Sequence, residues 1–282
     1  MPTFGAMMFP TDYAIQPTDL AKAVEERGLD SLFFPEHTHI PTSRRSPWPG
    51  GGELPMEYSH THDQFVALTA AAVVTKRVKL GTGICLVIER DPILLAKEVA
   101  SLDVISGGRV VLGIGGGWNA EEMENDGTNF KSRWKLLRER VLAMREIWRN
   151  EKAEFHGELV NFHSVWSWPK PVQPGGPPVL LGSEAKKCFE RVVAYCDGWM
   201  PIMRPGEKLR EGVQQLHEAA QRAGRRFEDL KLGVFGVPPK EDSAKRLIEW
   251  GFSDIIFGLP PAKADKVLPM LDQYAGIANK LR

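Results

Sequence analysis

The sequence predicts an α/β protein folded as a single (β/α)8 TIM barrel, and three observations predict it. Eight short apolar segments, each closed by Gly, Pro or a turn, recur along the 282 residues. Segments with apolar residues at helical spacing separate them, the alternation that sets helices around a parallel sheet. No change of composition marks a boundary, and a barrel of roughly 250 residues is one folding unit, so residues 1–282 are predicted as one domain. An open, doubly wound sheet is the alternative that the same alternation allows.

Residues 4–9 are the first strand. Leu20, Ala23 and Val24 then share one helical face over residues 17–27, with Thr18 as N-cap and Gly28 as stop. The second strand, 30–34, is broken by Pro35, so Glu36, His37 and His39 stand at its carboxyl end. Residues 41–58 are too rich in Pro and Gly for regular structure and read as a lid inserted after strand 2. An Ala-rich helix over 62–75 leads to the third strand, 78–84. Pro92 opens a helix to about residue 105, and Ser106-Gly107-Gly108 ends it.

The run Arg109-Val110-Val111-Leu112-Gly113-Ile114 has no polar alternation, the mark of a strand buried on both faces. The glycines that follow, Gly115-Gly116-Gly117, let backbone approach a flat or anionic ligand, although a Gly-rich turn after a strand is more often a tight connection. Residues 131–150 are the longest amphipathic helix. Weak alternation over 153–168 reads as a surface hairpin, and a proline-rich connection over 169–178 completes this insertion after strand 4. The remaining strands are 178–182, 197–201, 230–237 and 254–258. Their helices are a segment capped by Ser183 and running to about 195, then 205–223, 243–250 and 262–278.

Lys plus Arg equals Asp plus Glu at 36 each, so no overall field attracts nucleic acid or an anionic membrane, and any anion site is local. No apolar run is long enough to span a bilayer, and the N-terminus lacks a signal pattern, so a soluble cytoplasmic protein is expected. Three cysteines without Cys-x-x-Cys spacing indicate neither disulfides nor a zinc site.

A barrel keeps its chemistry where strands end, and few side chains there titrate. A hydrolase or aldolase barrel needs nucleophiles, several carboxylates, a Schiff-base lysine or metal ligands at that rim. Only Glu36-His37 offers acid or base chemistry. His37 and His39, two apart on an extended segment, would share a face and bind one ion. His156, His163 and His217 fall outside the later strand ends, so nothing completes a centre and no metal is expected. Thr82-Gly83-Ile84 reads either as a bulged strand end or as a tapering strand that needs small residues. For a phosphate, Gly182-Ser183 at a helix start supplies N–H groups and a hydroxyl, and Arg133 adds charge.

Taken together, several motifs resemble the luciferase-like monooxygenase superfamily over nearly the whole chain. They are Phe34-Pro35-Glu36-His37-Thr38-His39-Ile40-Pro41, Leu80-Gly81-Thr82-Gly83-Ile84, Arg90-Asp91-Pro92 with Glu98, Ser106-Gly107-Gly108-Arg109 into Gly113-Ile114-Gly115-Gly116-Gly117-Trp118-Asn119, Arg133 with Glu139, Phe155-His156-Gly157, Pro169-Lys170-Pro171-Val172-Gln173 and Asp197-Gly198-Trp199. The Glu-His-Thr-His-Ile-Pro box and the long lid are most similar to the branch that uses the deazaflavin coenzyme F420. The resemblance implies a flavin-type ring over the bulged third strand, with Thr82, Gly83, Ile84, Gly115, Asn119, Arg133, Gly182, Ser183 and Met200 binding the cofactor. It implies His37 as acid, base or polarising donor, with Glu36 fixing its tautomer or touching the ring, and a small organic substrate under the lid. It also implies a homodimer. FMN in place of F420 would make the protein a monooxygenase; a metal-dependent hydrolase using His37 and His39, and a non-catalytic cofactor-binding relative, are the other readings.

Overall fold

Every residue of β4, Val110–Ile114, is buried, as an uninterrupted Val/Leu/Ile run requires when a parallel strand has a neighbour above and below it. The computed structural model describes residues 1–282. β4 pairs in parallel with β3, Lys79–Cys85, on one side and β7, Val179–Leu181, on the other. Continuing around are β8 (Gly198–Trp199), β9 (Lys231–Val237), β10 (Asp254–Gly258), β1 (Thr3–Met7) and β2 (Ser31–Phe34), which returns to β3 and closes an eight-stranded parallel barrel. β5, Lys152–His156, and β6, Asn161–Trp166, form a separate antiparallel hairpin. The fold is the (β/α)8 barrel, not the open sheet.

Strand residues alternate between two cores because successive side chains point to opposite faces. In β2, Leu32 and Phe34 join the large core beneath the helices, whereas Phe33 points inward. Phe33, Val111, Leu180, Met200, Phe235 and Ile256 fill the barrel axis. Phe33 and Phe235 meet edge to face at 5.2 Å, and burying each such ring contributes roughly 2–3 kcal/mol. This plug is the floor on which the functional cavity stands.

The outer helices are α1 (Pro17–Glu26), α2 (Gln64–Val74), α3 (Pro92–Ser106), the short α4 (Ala120–Asn125), α5 (Arg133–Arg149), α6 (Cys188–Tyr195), α7 (Lys208–Arg222), α8 (Glu241–Glu249) and α9 (Ala264–Leu281). Asp91 caps α3 by accepting from Ile93 N and Leu94 N at 2.9 Å, and Gly107 ends it at φ +70°. Thr18 does not cap α1: Gln16 precedes the helix, Pro17 occupies its first turn, and no side chain bonds the end. Ser183 does not start α6 either. Its hydroxyl accepts from Ala185 N at 3.0 Å in a turn, and the helix begins at Cys188 after Lys187 at φ +65°. The sixth strand is shorter than the predicted 197–201, and α4 was not expected at all. No helix is long and apolar enough to cross a membrane, and all three cysteines are buried free thiols.

Many motif residues are clamps of this architecture. Arg109 gives its guanidinium to the carbonyls of Ala72, Thr75, Val78 and Ser106, satisfying the end of α2. Asp103, fully buried, accepts from Gln173 N at 3.0 Å and Gln173 Nε2 at 2.7 Å, fixing the proline-rich connection. Glu139 accepts from Leu159 N at 2.7 Å and Val160 N at 3.0 Å, tying the hairpin to α5. Burial would raise this carboxyl, but the backbone N–H groups hold it below the usual range. A Cβ on Gly157 would sit 2.4 Å from Glu139 Oε2, so the turn there needs glycine.

Candidate active site

At the carboxyl ends of the strands a cavity of about 380 Å³ opens above the Phe33–Phe235 plug. β2 and β3 supply one wall. Between them Glu36, 5% exposed, accepts from Leu86 N at 2.6 Å and Arg90 Nε at 2.7 Å. Arg90 also reaches Asp63 at 2.9 Å and Glu98 at 3.3 Å. Burial would lower the Arg90 guanidinium, but Glu36 beside it holds it above its ordinary value. Glu36 therefore stitches the β2 exit to the β3 exit and does not touch the His37 ring.

The residue that does is Glu122, on α4. Both of its carboxylate oxygens lie 2.9 Å from His37 Nδ1, and it is 1% exposed. A carboxylate only accepts, so it selects the Nδ1–H tautomer and leaves Nε2 with a free lone pair. No protein group bonds Nε2, and the ring lines the cavity. His37 is held edgewise between Tyr58, 5.0 Å away, and Trp118, 5.9 Å away. The rest of that end of the cavity is aromatic, with Phe9 against Tyr58 at 4.9 Å and Trp48 of the lid at 6.0 Å.

The adjacent Glu121 binds the lid rather than the cavity. It accepts from Ser46 N at 2.9 Å and from the Ser46 hydroxyl, and Ser43 adds a bond at 3.3 Å. Burial opposes that charge, yet the serine hydroxyl and backbone N–H groups bring Glu121 down to about 2. One short helix thus fixes the lid with one carboxylate and the imidazole with the next.

Gly83–Ile84 is a cis peptide, at the point where the β3–β4 register shifts between Thr82 and Cys85. The strand end is bulged, which resolves the alternatives left by the sequence. The Ile84 side chain lies in a hollow whose glycines make room for it. A Cβ would meet it at 2.8 Å on Gly115 and 2.6 Å on Gly182. Gly116 accommodates the Trp134 ring and Gly117 the Met123 methyl, at 2.7 and 2.5 Å from an added Cβ. The flat wall is made by these side chains over glycine backbone, rather than by bare backbone.

Of the residues expected at the site, His37, Glu36, Gly83, Ile84, Gly115, Arg133, Gly182, Ser183 and Met200 line this cavity. Thr82 and Asn119 do not. The Thr82 hydroxyl donates to Gly113 O at 2.7 Å across the sheet, and Asn119 is 1% exposed with its amide unpartnered. His39 turns away to Thr38 and Asn125, each at 2.9 Å, and no three His, Cys, Asp or Glu side chains converge as a metal ligand set. Glu122, Tyr58 and Trp134 escaped sequence reasoning; the acidic pair directly after the glycine loop is the one local signal for Glu122.

Two arginines lie by the Trp134 part of the wall, of which Arg133 lines the cavity. Arg133 and Arg191 both lie against Trp134, at 5.5 and 4.1 Å from its ring. Arg133 Nε is buried without a partner, and its Nη1 bonds only Phe130 O at 2.7 Å. Burial, and then the like charge of Arg191, lower Arg133 from its ordinary value. An anion placed there would relieve both.

The cavity thus brings an imidazole and an unpaired guanidinium to one wall of Ile84 and Trp134. The chain belongs to the luciferase-like monooxygenase family, whose model matches residues 11–265. It is 37% identical over 276 residues to an uncharacterized protein of Mycobacterium tuberculosis, covering 96% of this chain and 97% of that one. It is 27% identical over 219 residues to an F420-dependent glucose-6-phosphate dehydrogenase of Gordonia bronchialis, covering 75% and 60%. Among solved structures, a monooxygenase from Streptomyces bottropensis superposes with a TM-score of 0.79 at 19% identity, over 99% of each chain. An F420-dependent secondary alcohol dehydrogenase bound to an F420–acetone adduct gives 0.79 at 18% identity, over 100% and 99%.

Proposed function

We propose that the protein is a cytoplasmic F420-dependent oxidoreductase acting on a small, uncharged organic substrate held beneath the lid. The observation that carries this reading is His37, its Nδ1 held by Glu122 and its Nε2 free in a cavity whose one lining carboxylate, Glu36, is already engaged by Leu86 N and Arg90. The deazaflavin, when bound, supplies hydride exchange. Its fit is supported by the flat wall of Ile84 and Trp134 and by the unpartnered Arg133 Nε, which suits a phosphate beside the Ser183 turn. His37 Nε2 takes the hydroxyl proton of an alcohol being oxidised, or returns it to a carbonyl being reduced. Glu122 stabilises the imidazolium that results, and the Tyr58, Trp118 and Phe9 rings exclude water.

FMN is the second reading, favoured by the family's monooxygenase description and the Streptomyces neighbour. Absorbance titration with each cofactor separates the two: tight binding of FMN with none of F420 would overturn the deazaflavin assignment. A second copy of the chain is the proposed partner. No charged residue occurs in α2, and Val66 and Val73 on its outward face are about two-thirds exposed, at 69% and 67%. Sedimentation at micromolar concentration tests this, and a monomer would refute it.

A further inference from the structure

A groove of about 520 Å³ runs between α6 and α7, on the far side of the segment 182–187 from the cavity. Ala185 lines both, so the two are neighbours across one turn of chain. Trp199 and Leu209 form the groove's floor, and Gly212 is small because a Cβ there would meet the Trp199 ring at 2.4 Å. Its charges are unevenly spent. Glu184 is paired with Arg204 at 2.8 Å and Glu218 with Arg222 at 3.9 Å, whereas Lys186, Lys187 and Lys208 have no carboxylate partner. Glu190 is the one unpaired acid on the rim.

These lysines continue a trail that starts in the cavity. Arg133 and Arg191 share Trp134, and neither bonds a carboxylate: Arg133 donates to Phe130 O and Arg191 to Lys186 O. Five cations without a carboxylate partner, in a chain of zero formal net charge, mark a path for a ligand with several anionic groups.

We propose that the groove between α6 and α7 receives the anionic tail of F420, the phosphate at Arg133 and Arg191 and the carboxylates over Lys186, Lys187 and Lys208. The proposal rests on the deazaflavin reading above. FMN ends at its phosphate and leaves the groove empty, so the lysines select between two cofactors whose rings the cavity alone would accept.

The test is fluorescence titration with F420, with the same deazaflavin that ends at its phosphate and lacks only the acidic tail, and with FMN. Each is run at low and high salt on the wild type and on the variant Lys186→Gln/Lys187→Gln/Lys208→Gln. F420 is expected to bind about tenfold more tightly than the tail-free form at low salt, a margin that a few screened ion pairs supply and that salt erodes. In the variant the ratio falls to within about twofold. Equal binding of the two deazaflavins to the wild type, or a ratio kept by the variant, overturns the groove and leaves the cofactor reading standing. Binding of FMN with neither deazaflavin overturns both.

Discussion

Glu89 is the carboxyl in this fold whose replacement should stabilise the protein, and by an amount that depends on pH. It ends the single 3-10 turn Val87–Glu89 after β3, with both carboxyl oxygens buried and unpartnered. Burial first, and then the charges of Glu122, Asp126 and Glu36, push it from 4.5 up to about 9. The folded chain therefore keeps a proton there that the unfolded chain releases above about pH 4.5. Fewer protons on the unfolded state mean that stability falls as pH rises, through the window from about 4.5 to about 9. Each pH unit in that window costs up to ~1.36 kcal/mol; by pH 7, discounted for partial solvent access, the loss is on the order of 2–3 kcal/mol. Glu89→Gln keeps the shape and removes the proton. Urea unfolding of both proteins from pH 5 to 8 should show a gain that is small at pH 5 and grows steadily. A difference that stays constant with pH would refute the reasoning, because only a titrating Glu89 produces the slope.

Arg90→Met strands the buried Glu36 carboxylate and should lower stability by about 3–5 kcal/mol in urea unfolding; adding Glu36→Gln should return most of the loss, and no return would show that packing, not charge, was at issue. Gly113→Ala places a Cβ 2.2 Å from Thr82 O between β3 and β4. The backbone must shift, so a loss of roughly 1–3 kcal/mol is expected, read as a lower thermal midpoint. Glu122→Gln can offer an N–H to Nδ1 and so no longer selects the tautomer; turnover of a substrate found by screening should drop about 10²–10⁴-fold, while F420 titration of the same variant shows the ring still bound.

The barrel was legible because its signals are local. A both-faces-buried strand needs an unbroken apolar run, as in β4, and a helix stop needs a residue tolerant of positive φ, as at Gly107. The motifs that pointed to the family were legible for the same reason, yet Arg109, Asp103, Glu139 and Gly157 prove to hold elements together. The His37 partner was not legible. Glu122 is 85 positions away and reaches the ring only because β2 and β4 end at the same rim with β3 between them. Glu36 is adjacent in sequence, but extended neighbours point to opposite sides, so its carboxylate goes to Arg90 and not to the imidazole.

Glu121 and Glu122 make the corresponding point for a helix. Consecutive helical residues diverge by about 100°, so one faces Ser46 of the lid and the other the imidazole. α4 has only six residues, so both carboxylates sit on the same turn and a half of helix. Ser46 of the lid and the His37 ring are therefore held by neighbouring carboxylates of one short helix, and the geometry of the imidazole is tied to that of the lid.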